Sequence, residues 1–248
     1  MKIITLNTWG GRVEDEFANF LKKYSDTDVF CFQEVYKDPT AEMLQTHYAH
    51  IANLNSFYTI EKLLPDHELI FHPSFLDCYG ICIAVKKPAE IIKSGELFIF
   101  KHKGYVPEGD LGRHARNLQY TTIKLTPDSE PLTIINVHGL WTGQGKTDSD
   151  DRLEQSNIIS NFIKTLDTEI IMCGDFNLRP DTQSMSIIEQ AGVKNLIKEY
   201  NISSTRTSLY TRSEKYADYI FISHNLKESE FKVLPDETSD HSALMLTI

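Results

Sequence analysis

Ten strand-like apolar runs constrain the fold of this 248-residue chain more than any other feature. They are Lys2–Thr8, Asp28–Gln33, Tyr79–Lys86, Ala89–Phe100, Leu118–Leu125, Leu132–His138, Glu169–Asp175, Asp218–Ser223, Phe231–Leu234 and Ala243–Ile248. Each is rich in β-branched or aromatic residues and bounded by turn formers. Helical periodicity falls between some of them. Glu14–Tyr24 sets Phe17, Phe20, Leu21 and Tyr24 on one stripe, and Arg152–Leu166 does the same with Leu153, Ile158, Ile159, Phe162, Ile163 and Leu166. Thr182–Ala191 reads as a shorter helix capped by Asp181. Many strands and a few amphipathic helices imply a two-sheet core covered by helices. No low-complexity linker, internal repeat or break in composition divides the chain, so residues 1–248 read as one domain.

Polar residues stand at the ends of these strands, where packing does not need them. Ile170-Ile171-Met172-Cys173-Gly174 runs into Asp175-Phe176-Asn177. Residues i and i+2 share one face of a strand, so Asp175 and Asn177 are expected to project together where a pocket opens. A carboxylate beside a carboxamide can orient a water and bond a phosphate oxygen. Asn7 ends the first strand and Gln33-Glu34 the second; Asn136 and His138, again two apart, end another. Asp218 opens the run Tyr219-Ile220-Phe221-Ile222, and Asp240-His241 precedes the last strand.

The formal charge of −10 and pI near 5.4 argue against a protein that coats nucleic acid non-specifically. They leave room for an enzyme acting on phosphates, because a carboxylate-rich metal site is itself acidic. Cys31, Cys78, Cys82 and Cys173 match no zinc or redox spacing and read as buried thiols. With no visible signal peptide or membrane span, a reducing, cytoplasmic location is expected, without membrane contact.

Taken together, Leu6-Asn7-Thr8-Trp9, Cys31-Phe32-Gln33-Glu34-Val35, Asn136-Val137-His138, Gly174-Asp175-Phe176-Asn177, Ala217-Asp218-Tyr219-Ile220 and Ser239-Asp240-His241 resemble the endonuclease/exonuclease/phosphatase family of metal-dependent phosphohydrolases. The motifs occur in the family's order and span nearly the whole chain. The resemblance implies an α+β fold, a four-layer αββα sandwich of two mainly antiparallel sheets flanked by helices. It also implies Mg²⁺, with Mn²⁺ able to replace it, held by Glu34 with Asn7 and Asp240 nearby. Asp175 would activate the attacking water, Asn177 would fix that water or the phosphate, and His241, oriented by Asp218, would donate to a phosphate oxygen. His138 would protonate the leaving oxygen, and Asp77 is the candidate carboxylate to orient it.

Substrate contacts are sought among basic loop residues. Arg116, at the start of a strand, is the first choice for a bidentate phosphate clamp. Asn136, Arg113 and Arg206 are further candidates. Arg152 is expected to pair structurally with an acid, and Trp9 and Trp141 to pack in the core, with a place in the pocket wall as the alternative. Glycines in the stretch Gly139–Lys146 allow a mobile loop beside the site. The resulting expectation is a monomeric hydrolase of phosphate esters, foremost a nuclease-type phosphodiesterase on DNA or RNA. The alternatives are a phosphoinositide, a sphingolipid head group, a protein–DNA phosphotyrosyl link, or an inactive binding scaffold.

Overall fold

The computed structural model describes residues 1–248 and contains twelve strands in two six-stranded sheets. The strands are β1 (Lys2–Asn7), β2 (Val29–Tyr36), β3 (His67–Phe75), β4 (Tyr79–Lys86), β5 (Glu90–Phe100), β6 (Arg116–Lys124), β7 (Leu132–His138), β8 (Glu169–Asp175), β9 (Val193–Asn195), β10 (Asp218–Ser223), β11 (Glu230–Val233) and β12 (Leu244–Thr247). The helices are α1 (Glu14–Lys23), α2 (Ala41–Leu44), α3 (Ser56–Leu63), α4 (Asp150–Ile163), α5 (Gln183–Glu189) and α6 (Leu196–Glu199). One sheet has the order β11-β12-β1-β2-β4-β3, the other β5-β6-β7-β8-β10-β9. Only the pairs β1–β2 and β7–β8 are parallel.

Period-two alternation sorts each central strand between two layers. In β1 and β2, Ile3, Val29 and Cys31 join the core that runs through the second sheet to Ile159 and Ile163 of α4. Ile4, Leu6, Phe30 and Phe32 point the other way and meet Phe17, Phe20 and Leu21 of α1 and Phe57 and Ile60 of α3. Each such side chain, fully buried, contributes about 1.5–3 kcal/mol. The result is the αββα sandwich.

Beneath the strand ends, the two sheets are tied by a buried polar network. Gln33 donates through Nε2 to Thr5 Oγ1 (3.1 Å) and, across the interface, to Asn136 Oδ1 (2.7 Å). Asn136 returns a hydrogen bond to the Phe32 carbonyl (3.0 Å). Asn136 is thus committed to sheet pairing and is no substrate contact, which corrects the sequence expectation; it lies one pleat below His138.

Two strands escape the sequence reading. β3 is an edge strand, where Pro73 costs no ladder partner, so a residue that argues against a strand is tolerated. β9 has only three residues. The α5 cap also differs: Thr182 Oγ1 accepts from Met185 N (3.3 Å), while Asp181 pairs with Arg179 (3.0 Å to Nε). No helix is long and apolar enough to cross a membrane.

Candidate active site

The parallel pairs of both sheets end at the same rim of the sandwich. β1, β2, β7 and β8 bring Asn7, Glu34, His138 and Asp175 there from their C-terminal ends. Antiparallel neighbours bring their first residues: Asp218 of β10 lies opposite Asp175, and Tyr79 of β4 opposite Tyr36. Arg116 opens β6 in the same way. Glu34, Tyr36, Tyr79, Arg116, His138 and Asp175 line a cleft of about 410 Å³, with Asn7 and Asp218 buried behind them.

Local backbone irregularities aim the acidic side chains. The pairing of β2 with β4 shifts register between Phe32 and Val35, and within that bulge Glu34 adopts φ +59°. A bulge re-aims a side chain out of strict alternation. The Thr8 hydroxyl holds it, lying 3.1 Å from the Gln33 carbonyl and 3.0 Å from that of Glu34. Asn7 then bridges two carboxylates, donating from Nδ2 to Glu34 Oε1 (3.1 Å) and Asp175 Oδ2 (3.0 Å). Its Oδ1 accepts from Trp9 N (2.9 Å), which fixes the amide so that its Nδ2 spaces the two acids.

Asp175 and Asn177 do meet, although not as strand neighbours. β8 stops at Asp175, whose Oδ1 accepts from the Asn177 backbone N (2.8 Å), and Asn177 turns left-handed at φ +54°. Between them Phe176 is fully buried, edge-on to Tyr219 and Phe221.

Opposite, His241 Nδ1 lies 2.9 Å from both oxygens of Asp218, which also accepts from Thr205 Oγ1 (3.1 Å). His241 Nε2 faces the cleft, 3.8 Å from Asp175 Oδ2 and 3.8 Å from Asp240 Oδ1. Burial raises the Asp218 pKa and lowers that of His241. Arg206 donates to Asp240 Oδ2 (3.3 Å) and lies 4.0 Å from the Tyr210 ring centroid.

Arg116 is buried and unpaired with any carboxylate. Its Nη2 donates to the Gly112 carbonyl (2.8 Å), and Nη1 lies 2.9 Å from Nε2 and 3.2 Å from Nδ1 of His138. Arginine only donates, so the ring nitrogen it meets is unprotonated. Burial, then Arg116, hold His138 well below the usual histidine range. No orienting carboxylate reaches it: Glu34 and Asp175 stand 3.9 and 4.0 Å from Nε2. Asp77 sits exposed in the β3–β4 turn at φ +52°, which corrects its assignment as the partner. Arg113 also leaves the site; it lies outside the cleft lining, near Asp151 on the surface (3.8 Å).

The residue that sequence reasoning missed is Lys146. It is 4% exposed, and its Nζ donates to Asn177 Oδ1 (2.7 Å) while Asn177 Nδ2 donates to the Gly139 carbonyl (3.2 Å). A lysine has only donors, so it fixes which end of the amide carries the oxygen. Its loop is pinned from within: buried Arg152 donates to the carbonyls of Leu140, Gly145 and Thr147, and Leu140 N donates to Gln155 Oε1 (2.8 Å). Arg152 is therefore structural, with carbonyls in place of the expected acid. Trp9 and Trp141 wall the cleft instead of packing in the core.

The family profile of the endonuclease/exonuclease/phosphatase family matches residues 4–241. The chain belongs to this family. No curated protein matches it in sequence. Among solved structures, a mannosyl-6-phosphatase of Bacteroides thetaiotaomicron superposes with a TM-score of 0.75 at 17% identity, covering 99% of this chain and 98% of that one. TDP2 from D. rerio, complexed with a single-strand DNA product, gives 0.67 at 18% identity, with 99% and 97% coverage. The human Nocturnin catalytic domain with bound sulfate gives 0.67 at 14%, with 99% and 93% coverage. At these identities the likeness establishes the fold.

Members of the endonuclease/exonuclease/phosphatase family are phosphoester hydrolases that generally depend on a divalent metal. The donor set here fits a hard divalent cation. Glu34 keeps 24% of its side-chain surface open to the cleft, yet the dense walls desolvate its carboxylate. That desolvation, with repulsion from Asp240 and Asp175, pushes its pKa up to about 7 against the pull of Asn7 and Arg116. Asp240 Oδ1 is buried without a hydrogen-bond partner. A cation between Glu34 and Asp240 would relieve both. Asp175, Asp218 and His241 also cluster within 4.8 Å, but Asp218 and His241 are spent on each other.

Proposed function

We propose that the protein is a divalent-metal-dependent phosphoester hydrolase whose substrate enters the cleft end-on and is attacked by a water activated at Asp175. The observation that carries this is the chain Glu34–Asn7–Asp175, with His241–Asp218 facing it and Arg116 beside it without a carboxylate partner. The bound metal, held by Glu34 and Asp240, would neutralise charge on the phosphoryl oxygens. Asp175 Oδ2, fixed by Asn7, takes a proton from the attacking water. The second N–H of the Asn177 amide orients that water. Asp218 orients His241 through Nδ1, so that Nε2 faces a phosphoryl oxygen and, when it carries a hydrogen, donates to it as charge develops. Arg116 and Arg206 clamp the remaining oxygens. His138 is a hydrogen-bonding neighbour of Arg116, and its burial and that guanidinium lower its pKa, which disfavours it as the proton donor to the leaving group.

Substrate class follows from size and charge. A cleft of about 410 Å³ takes a ligand of nucleotide size, not a duplex. Four arginines (Arg12, Arg116, Arg206, Arg212) face three carboxylates (Glu34, Asp175, Asp240) in it, so the site favours an anion although the whole molecule is acidic. A compact phosphoester or the free end of a single strand satisfies both; a nuclease acting inside duplexes does not. The test is a Mg²⁺-dependent panel of p-nitrophenyl phosphate, bis-p-nitrophenyl phosphate, single-stranded DNA and duplex DNA. Turnover of the small esters or of strand ends, with duplex interiors spared, is expected. Internal cleavage of duplex as the preferred reaction would overturn the substrate assignment.

A further inference from the structure

Two of the four cleft arginines have hydrogen-bond partners; Arg12 and Arg212 have none. Arg212 is exposed and solvated, but Arg12 is half-buried, and its Nε is buried without a hydrogen-bond partner. Its guanidinium lies over the Trp9 ring, 4.7 Å from the centroid, which supports a cation while leaving its N–H edge unused.

The backbone carrying Arg12 is built to hold it. Trp9, Gly10 and Gly11 all have positive φ (52°, 65° and 67°), a turn that follows the β1 strand end directly. The Gly10 carbonyl accepts from Asn53 N (2.8 Å). Side chains at the glycines would press on the same segment: a Cβ at Gly10 would sit 3.0 Å from Ala52 Cβ, and one at Gly11 3.2 Å from Asn53 Cβ. The turn is thus docked against the chain after α2, and Arg12 is pre-organised without any partner inside the protein. A buried guanidinium N–H left unmatched is costly unless a ligand completes it.

We infer that Arg12, with Arg212 also lining the cleft, forms a subsite for a second anionic group, so that the preferred substrate carries a phosphate beyond the scissile one. This rests on the phosphoester hydrolase reading, and the shared chemistry is two phosphates joined by a short linker, whether in a sugar bisphosphate or a nucleotide strand. Trp9 and Tyr48 line the same cleft.

Two matched pairs test it: a hexose monophosphate against the corresponding bisphosphate, and a nucleotide p-nitrophenyl ester with and without a phosphate on its free hydroxyl. The wild type is expected to favour the member with two phosphates in at least one pair by about tenfold in kcat/KM, mostly through KM. Arg12→Ala and Arg12→Gln should collapse that ratio towards unity, with Arg12→Lys restoring part of it and thermal melting confirming the fold. Which pair responds distinguishes a sugar from a strand. Calorimetric binding of the same pairs to Asp175→Asn, with and without Arg12→Ala, reads the subsite without turnover. A ratio near unity in the wild type, or one that survives Arg12→Ala, would overturn the subsite. Absence of hydrolysis of every ester would instead strike the hydrolase reading, while the binding ratio still decides the subsite.

Discussion

Lys146 shows how much of a site lies in contacts that sequence spacing cannot reveal. It meets Asn177 from 31 positions away, through a loop whose glycines suggest mobility but whose carbonyls are gathered by Arg152. Removing its charge frees the Asn177 amide to turn over. Lys146→Met is therefore expected to lower kcat by about tenfold to a hundredfold, the worth of a charge-assisted hydrogen bond, with KM little changed. Lys146→Arg should recover part of it. Burial pulls the Lys146 pKa down to about 8, so its charge is present below that pH and lost above it. kcat should accordingly fall on an alkaline limb near pH 8 that Lys146→Met lacks. A limb of unchanged position in that variant would remove Lys146 from this role. The acidic residues were legible as strand-end polar groups, since packing gave no reason for them. Their conformations were not: Glu34 reaches the cleft only because a bulge gives it a left-handed backbone, and alternation alone placed Asn136 beside His138 when the pleat puts it in the sheet interface.

Among the elements, the two parallel pairs decide where the chemistry sits. Short, nearly continuous apolar runs made β1, β2, β7 and β8 readable, but pairing direction came only with the tertiary structure. Gly174 lies opposite Val137 in the β7–β8 pairing. A Cβ there would lie 2.1 Å from the Val137 carbonyl oxygen, at a φ of +132° that side chains rarely adopt. Gly174→Ala must push β8 away from β7 one residue before Asp175. A loss of roughly 3 kcal/mol or more in chemical denaturation is expected, together with loss of activity greater than the unfolded fraction explains. Wild-type stability in this variant would show that the strands can part without cost. β3 stayed illegible because its Pro73 and partly exposed residues suit an edge strand, for which periodicity is weakest.

For the whole molecule, net charge and local charge point in opposite directions: an acidic chain of formal charge −10 folds a basic cleft around a carboxylate core. Global stability should report that core. Glu34 titrates near 7 in the folded protein against 4.5 for the free side chain, so between those values the native state binds the extra proton. Its contribution is therefore present at low pH and lost as pH rises through about 7 in metal-free buffer. Glu34→Gln should gain melting temperature relative to wild type across that window, and Mg²⁺ should raise the wild type above the variant at pH 7. A pH-independent difference would mean that Glu34 is not strained by its neighbours. The most direct test of the whole account is steady-state hydrolysis of p-nitrophenyl and bis-p-nitrophenyl phosphate by wild type and Asp175→Asn, with Mg²⁺ and after chelation. The prediction is turnover that needs the metal and falls by roughly three orders of magnitude or more in a normally folded Asp175→Asn protein. Hydrolysis that persists under chelation, or near-wild-type turnover by the variant, would contradict it.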